Sequence, residues 1–305
     1  MLRAADVTFG YGETLVLRGV SIDVQDGGFV GVLGPNGSGK TTLLRVLAGT
    51  RRPRGGSVTL DDVDLARIPQ ATLARRMAVV PQETHLAFDY SVLEIVMMGR
   101  YPHLGAFELE GPVDHAAARH ALDITGTIDF EDRAFATLSG GEKQRVVIAA
   151  ALAQIAASRD TSRSGRRTSP EANRGAVLLL DEPTAALDLA YQLEIAALLR
   201  DLQQVMPISI VVSTHDLNFA ASLCRSLVLL KEGRVVASGA TEEVLTPPRI
   251  RDLYGVEADV HMHESAGHLV VVPIRPADPE ESRGISSEHS RPIRAEPRPG
   301  TIEAR

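Results

Sequence analysis

The apolar run Phe29-Val-Gly-Val-Leu33 passes directly into Gly34-Pro35-Asn36-Gly37-Ser38-Gly39-Lys40-Thr41-Thr42, and then into apolar residues at helical spacing that stop at Gly49. That order fits a buried strand, a tight glycine loop and a helix in immediate succession. Glycines let backbone N–H groups turn inward around phosphate oxygens. The helix amino terminus adds positive potential, and Lys40 supplies a point charge for the β and γ phosphates. The segment matches the phosphate loop G-x-x-x-x-G-K-[ST], in which the Thr41 hydroxyl is offered to magnesium. The bare pattern arises by chance in roughly one chain in a hundred of this length, so the flanking strand and helix carry the assignment.

The rest of the chain is read around that unit. LRAADVTFGYG and VLRGVSIDV are short strands feeding Phe29–Leu33, and SVTLDDVDL is a further exposed hairpin element. Residues from Ser91 to about Ala157 are mostly helical in pattern. VLLLDEP, ISIVVSTHD and SLVLLKEG are compact apolar strands of the kind buried in a parallel sheet. The alternation implies an α/β fold: a P-loop NTPase core with a parallel sheet, an antiparallel β subdomain and an inserted α-helical subdomain at about 85–157. Residues 158–175 and 276–305 are rich in Ser, Pro, Gly and charge, and are expected to be a flexible insertion and a disordered tail. Residues 261–275 are read as a terminal β extension.

Two further strings carry chemistry. Val177-Leu-Leu-Leu180-Asp181-Glu182 is an apolar strand ending in two carboxylates, which a parallel sheet would deliver beside the phosphate loop. Asp181 would hold magnesium through its coordination shell, and Glu182 would polarise the attacking water as general base. Leu138-Ser139-Gly140-Gly141-Glu142 precedes a helix beginning KQRVVIAAALAQ, so the Ser139 hydroxyl and the glycine amides sit at a helix amino terminus able to bind an anion. One chain thus holds two phosphate-binding devices.

With these three motifs in this order, the chain resembles the ABC ATPase family over residues 2 to about 260, leaving out the insertion. The resemblance implies ATP and Mg2+ as ligands, and a head-to-tail homodimer in which each ATP lies between one phosphate loop and the other subunit's Ser139–Glu142. It also implies that Tyr11 stacks on adenine, and that Gln82 touches magnesium and the attacking water. His215 would contact the γ phosphate. Asp188, in Ala185-Ala-Leu-Asp188, would communicate across the dimer, although most members begin this motif with serine rather than Ala185. The stretch SVLEIVMMGRYPHLG and the ending LYGVEADVHMHESAGHLVVVP are similar to ATPases serving importers of ferric siderophores, haem and cobalamin. That likeness implies two transmembrane permease subunits, an indirectly associated substrate-binding protein, and a peripheral place on the cytoplasmic face of the membrane. It makes Arg100, Tyr101 and His103 candidates for the docking surface. A soluble non-transport ABC ATPase, in cofactor assembly or nucleic-acid work, and an exporter subunit are the alternatives.

Bulk properties agree with this reading. The most apolar helical stretch, Val146 to Ala157, is broken by Gln154 and falls short of the roughly 20 residues a membrane span needs, so membrane contact is expected through a partner. No export signal is visible at the amino terminus. The single cysteine, Cys224, suits a reducing compartment and is read as a buried packing residue. A net charge of -7 argues against a broad nucleic-acid surface. His261, His263 and His268 are read as an exposed hairpin rather than a metal site.

Overall fold

The computed structural model describes residues 1–84, 88–156 and 175–278; the expected insertion and tail fall almost wholly outside them. The first part of the chain forms β1 (Leu2–Tyr11), β2 (Thr14–Val24), β3 (Phe29–Leu33), α1 (Lys40–Leu47), β4 (Gly55–Leu60) and β5 (Val63–Asp64). Then come α2 (Gln70–Ala74), β6 (Met77–Val80), α3 (Val92–Met98), α4 (Pro112–Ile124) and α5 (Gly140–Ile155). The last part holds β7 (Ala176–Asp181), α6 (Leu189–Val205), β8 (Ile208–Thr214), α7 (Leu217–Leu223), β9 (Ser226–Lys231) and β10 (Arg234–Ala240). It ends in α8 (Thr241–Val244), α9 (Pro247–Tyr254) and the hairpin β11 (Val256–His263) and β12 (His268–Pro276).

Two sheets dominate. One is antiparallel, in the order β2-β1-β4-β5; the other runs β10-β9-β3-β8-β7-β6, parallel except for β10 at its edge. Every residue of β3, β7 and β8 is buried, as a parallel sheet covered on both faces requires. Alternation along these strands divides the core. Phe29, Leu33, Leu178 and Leu180 face the helices α3 to α7, whereas Val30, Val32, Val177 and Leu179 face α1 and the antiparallel sheet. The phosphate-loop helix is therefore clamped between two sheets, with Leu43, Leu44, Val46 and Leu47 buried there. The terminal strands form a two-stranded hairpin that begins at Val256, before the expected boundary.

Helices α3, α4 and α5 pack on one another. Both α3 and α5 start in a capping box, Ser91 with Glu94 and Ser139 with Glu142, which satisfies two orphan N–H groups at each end. The end of α3 lies so close to α5 that a Cβ on Gly99 would meet the Ala150 carbonyl at 2.3 Å.

The three docking candidates do not share a surface. Tyr101 is 57% exposed, but Arg100 is fully buried at 0%. Pro102 lies in a short 3-10 turn, Tyr101–His103, and Arg100 caps its start. The Arg100 guanidinium lies over the last turn of α5, where the carbonyls lack helical partners and attract a cation. Arg100 donates to Ala153 O at 2.6 Å and Ala156 O at 3.0 Å, and its charge is met by Asp114 at 3.1 Å. His103 is also turned inward, donating from Nε2 to Gln154 O at 2.7 Å; burial pushes its imidazole below the ordinary value, partly offset by that carbonyl. Arg100 and His103 are structural contacts here, and Tyr101 alone of the three is well exposed.

Gly99→Ala is expected to cost about 1–3 kcal/mol by forcing α3 off α5. Chemical denaturation of the two proteins measures it; equal midpoints would show that the two helices can separate freely.

Candidate nucleotide-binding site

Parallel register brings the site residues to one edge. Leu33 pairs with Thr214 across β3 and β8, Asp181 with Ser213 across β7 and β8, and Val80 with Leu180 across β6 and β7. Gly34, Glu182, His215 and, two residues beyond β6, Gln82 therefore leave their strands at the same carboxyl edge, where ligands of α/β sheets bind.

The loop itself is held by backbone geometry. A Cβ on Gly34 would lie 2.2 Å from Leu230 O and 2.6 Å from Ser38 Oγ, so no larger residue fits there. Gly37 and Gly39 adopt φ of +78° and +106°, values that glycine alone takes without strain. Lys40 opens α1 and is buried; its Nζ donates to Gly34 O at 2.8 Å and Pro35 O at 3.3 Å, and pairs with Glu182 Oε1 at 3.3 Å. Thr41 Oγ1 donates to Asp181 Oδ1 at 3.1 Å, and Ser213 Oγ donates to the same oxygen at 2.6 Å. The other carboxylate oxygen of Glu182 meets His215 Nδ1 at 3.1 Å. Glu182 itself sits at φ +48°, a left-handed conformation unusual for a residue with a Cβ and costing about 1 kcal/mol or more. Its N–H is tied to Ser213 O at 3.0 Å, which holds the residue in that strained turn.

These groups surround a cavity of about 680 Å³, enough for a nucleotide's phosphates. Asn36, Gly37, Gly39 and Lys40 to Thr42 form one wall, and Gln82, Glu182 and His215 face them. Gly34, Pro35, Ser38 and Asp181 lie outside that lining. Ser38 Oγ is buried and finds no hydrogen-bond partner among the described residues, so its phosphate-binding capacity is unspent. The donor set suits a triphosphate: one buried ammonium, a glycine loop at a helix terminus and an orphan hydroxyl. Thr41, Asp181 and Gln82 supply oxygens of the hard kind that magnesium takes.

Tyr11, Ser139 to Glu142 and Asp188 do not line this cavity. Tyr11 is 44% exposed and meets Phe9 edge-on, ring centroids 5.1 Å apart. Burial would raise its phenol, but Thr42 and Arg45 beside the hydroxyl bring it below the ordinary tyrosine value. Ser139 caps α5, accepting from Glu142 N at 3.3 Å while Glu142 accepts from Ser139 N at 2.7 Å; that backbone donor lowers the Glu142 carboxyl. Ser139 Oγ also donates to Tyr191 OH at 3.3 Å, and the Tyr191 ring lies where any Cβ on Gly141 would be, 2.1 Å from its nearest atom. Asp188 caps α6 by accepting from Tyr191 N at 3.2 Å. The Ser139 motif and Asp188 thus form a second assembly joined through Tyr191, apart from the cavity.

Sequence reasoning passed over Ser213, Gln192 and Tyr191. Ser213 had a readable signal, since a hydroxyl inside a wholly buried strand needs a polar partner. Tyr191 had none, because only the fold brings it to Gly141. His261, His263 and His268 lie on β11 and β12 with separate local partners: Asp259, the Ala266 N–H and Leu269 O. Cys224 is buried against the Gly31 position of β3, and burial drives its thiol far above the usual range.

Known proteins align with this arrangement. The ABC transporter family profile matches residues 17–157. The hemin import ATP-binding protein HmuV of Bordetella pertussis is 41% identical over 272 residues, which is 89% of this chain and 98% of that protein. The cobalamin import ATP-binding protein BtuD of Halobacterium salinarum is 38% identical over 86% of this chain and 60% of its own length. A solved structure of a metal-chelate type ABC transporter in an inward-facing conformation superposes with a TM-score of 0.73 at 30% identity, covering 90% of this chain and 96% of that one. The chain belongs to the ABC transporter family, as an ATP-binding subunit. It is an ATPase of the P-loop NTPase fold.

Lys40→Ala is expected to raise the dissociation constant for ATP at least about tenfold, since a charge-assisted contact to phosphate is lost. Titration with a fluorescent ATP analogue checks it; unchanged affinity would remove Lys40 from the phosphate site.

Proposed function

We propose that this chain is the ATP-hydrolysing subunit of an importer for an iron complex, siderophore or haem, or for cobalamin. It works as a head-to-tail homodimer on the cytoplasmic face of the membrane beneath two permease subunits, with a substrate-binding protein delivering the cargo. The observation that carries the dimer is the separation of the two phosphate-binding devices. Lys40 and Glu182 share the cavity, whereas the capped amino terminus at Ser139 faces elsewhere. A second copy arranged head to tail brings the Ser139, Gly140, Gly141 and Glu142 terminus over the first copy's cavity, adding positive potential where a γ phosphate lies.

Import is supported by the hemin and cobalamin import roles of the named relatives. No helix among the described residues is long and apolar enough to cross a membrane. Tyr101, Phe107 and Leu109 are exposed in the short stretch between α3 and α4, apolar side chains suited to receive a permease.

The chemistry follows from the residues. Lys40, Ser38 and the loop amides bind the β and γ phosphates, and Tyr11 lies against the adenine. Thr41, Asp181 and Gln82 would hold magnesium, which when bound neutralises phosphate charge; Ser213 keeps Asp181 oriented for it. Lys40 cannot serve both Glu182 and a phosphate fully. A phosphate that draws the ammonium away leaves the Glu182 carboxylate free to take a proton from water at Oε1, while His215 steadies Oε2. The resulting hydroxide attacks the γ phosphorus in line, ADP leaves, and His215 keeps contact with the departing phosphate. Asp188, across the dimer, reports the change to the other site.

Glu182→Gln should retain ATP binding, lower turnover by roughly 100-fold or more, and trap an ATP-dependent dimer visible by gel filtration with light scattering. Undiminished hydrolysis would take Glu182 out of the base role. The same variant, used with ATP to capture partners from detergent-solubilised membranes of the native host, tests the transport reading. A polytopic permease is the expected partner; recovery of soluble partners alone would place the protein among the non-transport ABC ATPases.

A further inference from the structure

The buried Arg100 stands at a junction of three elements. Behind it, Gly99 presses α3 against the α5 backbone at Ala150. Beside it, the guanidinium spans Ala153 O, Ala156 O and Asp114, tying the turn Tyr101–His103 to the last turn of α5 and the first of α4. His103 adds a bond from the other end of the same turn to Gln154 O. The Gln154 side chain reaches a further segment. Its Nε2 donates to Ala74 O at 2.8 Å and Met77 O at 3.0 Å, where β6 begins. Arg75 closes the loop by donating to Pro102 O at 2.6 Å.

Two of these elements end at the chemistry. α5 is a 16-residue helix, about 24 Å of rigid rod, with Ser139 capping its far end. β6 is four residues long and leads to Gln82 in the cavity wall. A displacement of the turn cannot be absorbed locally, because its carbonyls and side chains are bonded to both.

We propose that Arg100, with His103 and Gln154, is a positioning clamp that makes the turn Tyr101–His103, α5 and β6 move as one body, so that a push on Tyr101 reaches Ser139 and Gln82 together. This rests on the reading that a permease docks at that turn. Arg100 touches no reacting group and acts through the helix and strand it holds. A flat guanidinium is needed for the task, since a lysine ammonium cannot span Ala153, Ala156 and Asp114 at once.

The test uses the full chain, free and in complex with the permease recovered from the native host, the complex reconstituted in lipid vesicles. Two variants are compared with the parent: Arg100→Lys, which keeps the buried charge beside Asp114, and Gln154→Met, which keeps the side-chain volume but releases Ala74 and Met77. Both are expected to leave ATPase activity of the free subunit within about twofold and to lower that of the complex about 10- to 100-fold, the scale of a misplacement transmitted to an active site. Parental complex activity in both variants would overturn the clamp. So would a fall in free and complex activities by the same factor, tracking thermal melting, because it would reduce these contacts to stability alone. If the parent chain itself recovers no permease, the docking reading fails first, and the clamp fails with it for want of an input.

Discussion

The parallel register of β3, β8 and β7 is the constraint on which the rest depends. With Leu33 level with Thr214, and Asp181 level with Ser213, the glycine loop, the two acids and His215 leave the sheet at one height. A slip along β7 would carry Asp181 away from Thr41 and Ser213 and turn its carboxylate toward the opposite face. The slip is resisted by burial, since every residue of the three strands is packed and alternate residues serve two different cores. Hydrophobic patterning therefore sets the position of the acids, although none of the apolar residues touches the cavity.

The second constraint is that the two phosphate-binding devices stand apart within one chain. Lys40 and Glu182 face the cavity, while the helix terminus at Ser139 is built with equal care elsewhere, its capping box closed and Gly141 kept bare for the Tyr191 ring. Neighbouring residues of α6 divide between the two assemblies, Tyr191 reaching the Ser139 motif and Gln192 lining the cavity. One short segment after Asp188 thus touches both the cavity and the Ser139 terminus.

Legibility followed the range of the interaction. The phosphate loop could be read because its requirements are largely local: Gly37 and Gly39 are demanded by positive φ, and Gly34 in part by the Ser38 hydroxyl within the same loop. The capped α5 was legible for the same reason, as were the buried strands, which announce themselves by unbroken apolar runs. Arg100 was misplaced because its partners, Ala153 and Ala156, lie some fifty residues away. Nothing in GRYPHLG says that a helix carboxyl end will arrive to receive a cation, and an arginine beside an exposed tyrosine reads naturally as surface. Ser213 escaped attention for a milder version of that reason: its partner Asp181 belongs to the adjacent strand. The β11–β12 hairpin was anticipated in kind but begins earlier, since Gly255 in a left-handed conformation ends α9 and sends the chain straight into the strand.

Both buried cations among the described residues, Lys40 and Arg100, follow one rule. Removing a charge from water is costly, and a buried ion pair rarely returns a net gain over an apolar packing of the same volume. Stability alone therefore does not account for either. Each sits against backbone carbonyls at a helix end or loop and against a carboxylate, Glu182 for one and Asp114 for the other. What such a pair adds is direction: an apolar contact tolerates sliding by an ångström, whereas a guanidinium bonded at 2.6 to 3.1 Å to three fixed oxygens does not. The lysine's compact charge can transfer from Glu182 to phosphate as a ligand arrives, and the arginine's fixed fork cannot. In the proposed cycle the residue that lets go is a lysine and the one that holds is an arginine, which matches a site that changes partners joined to a frame that does not.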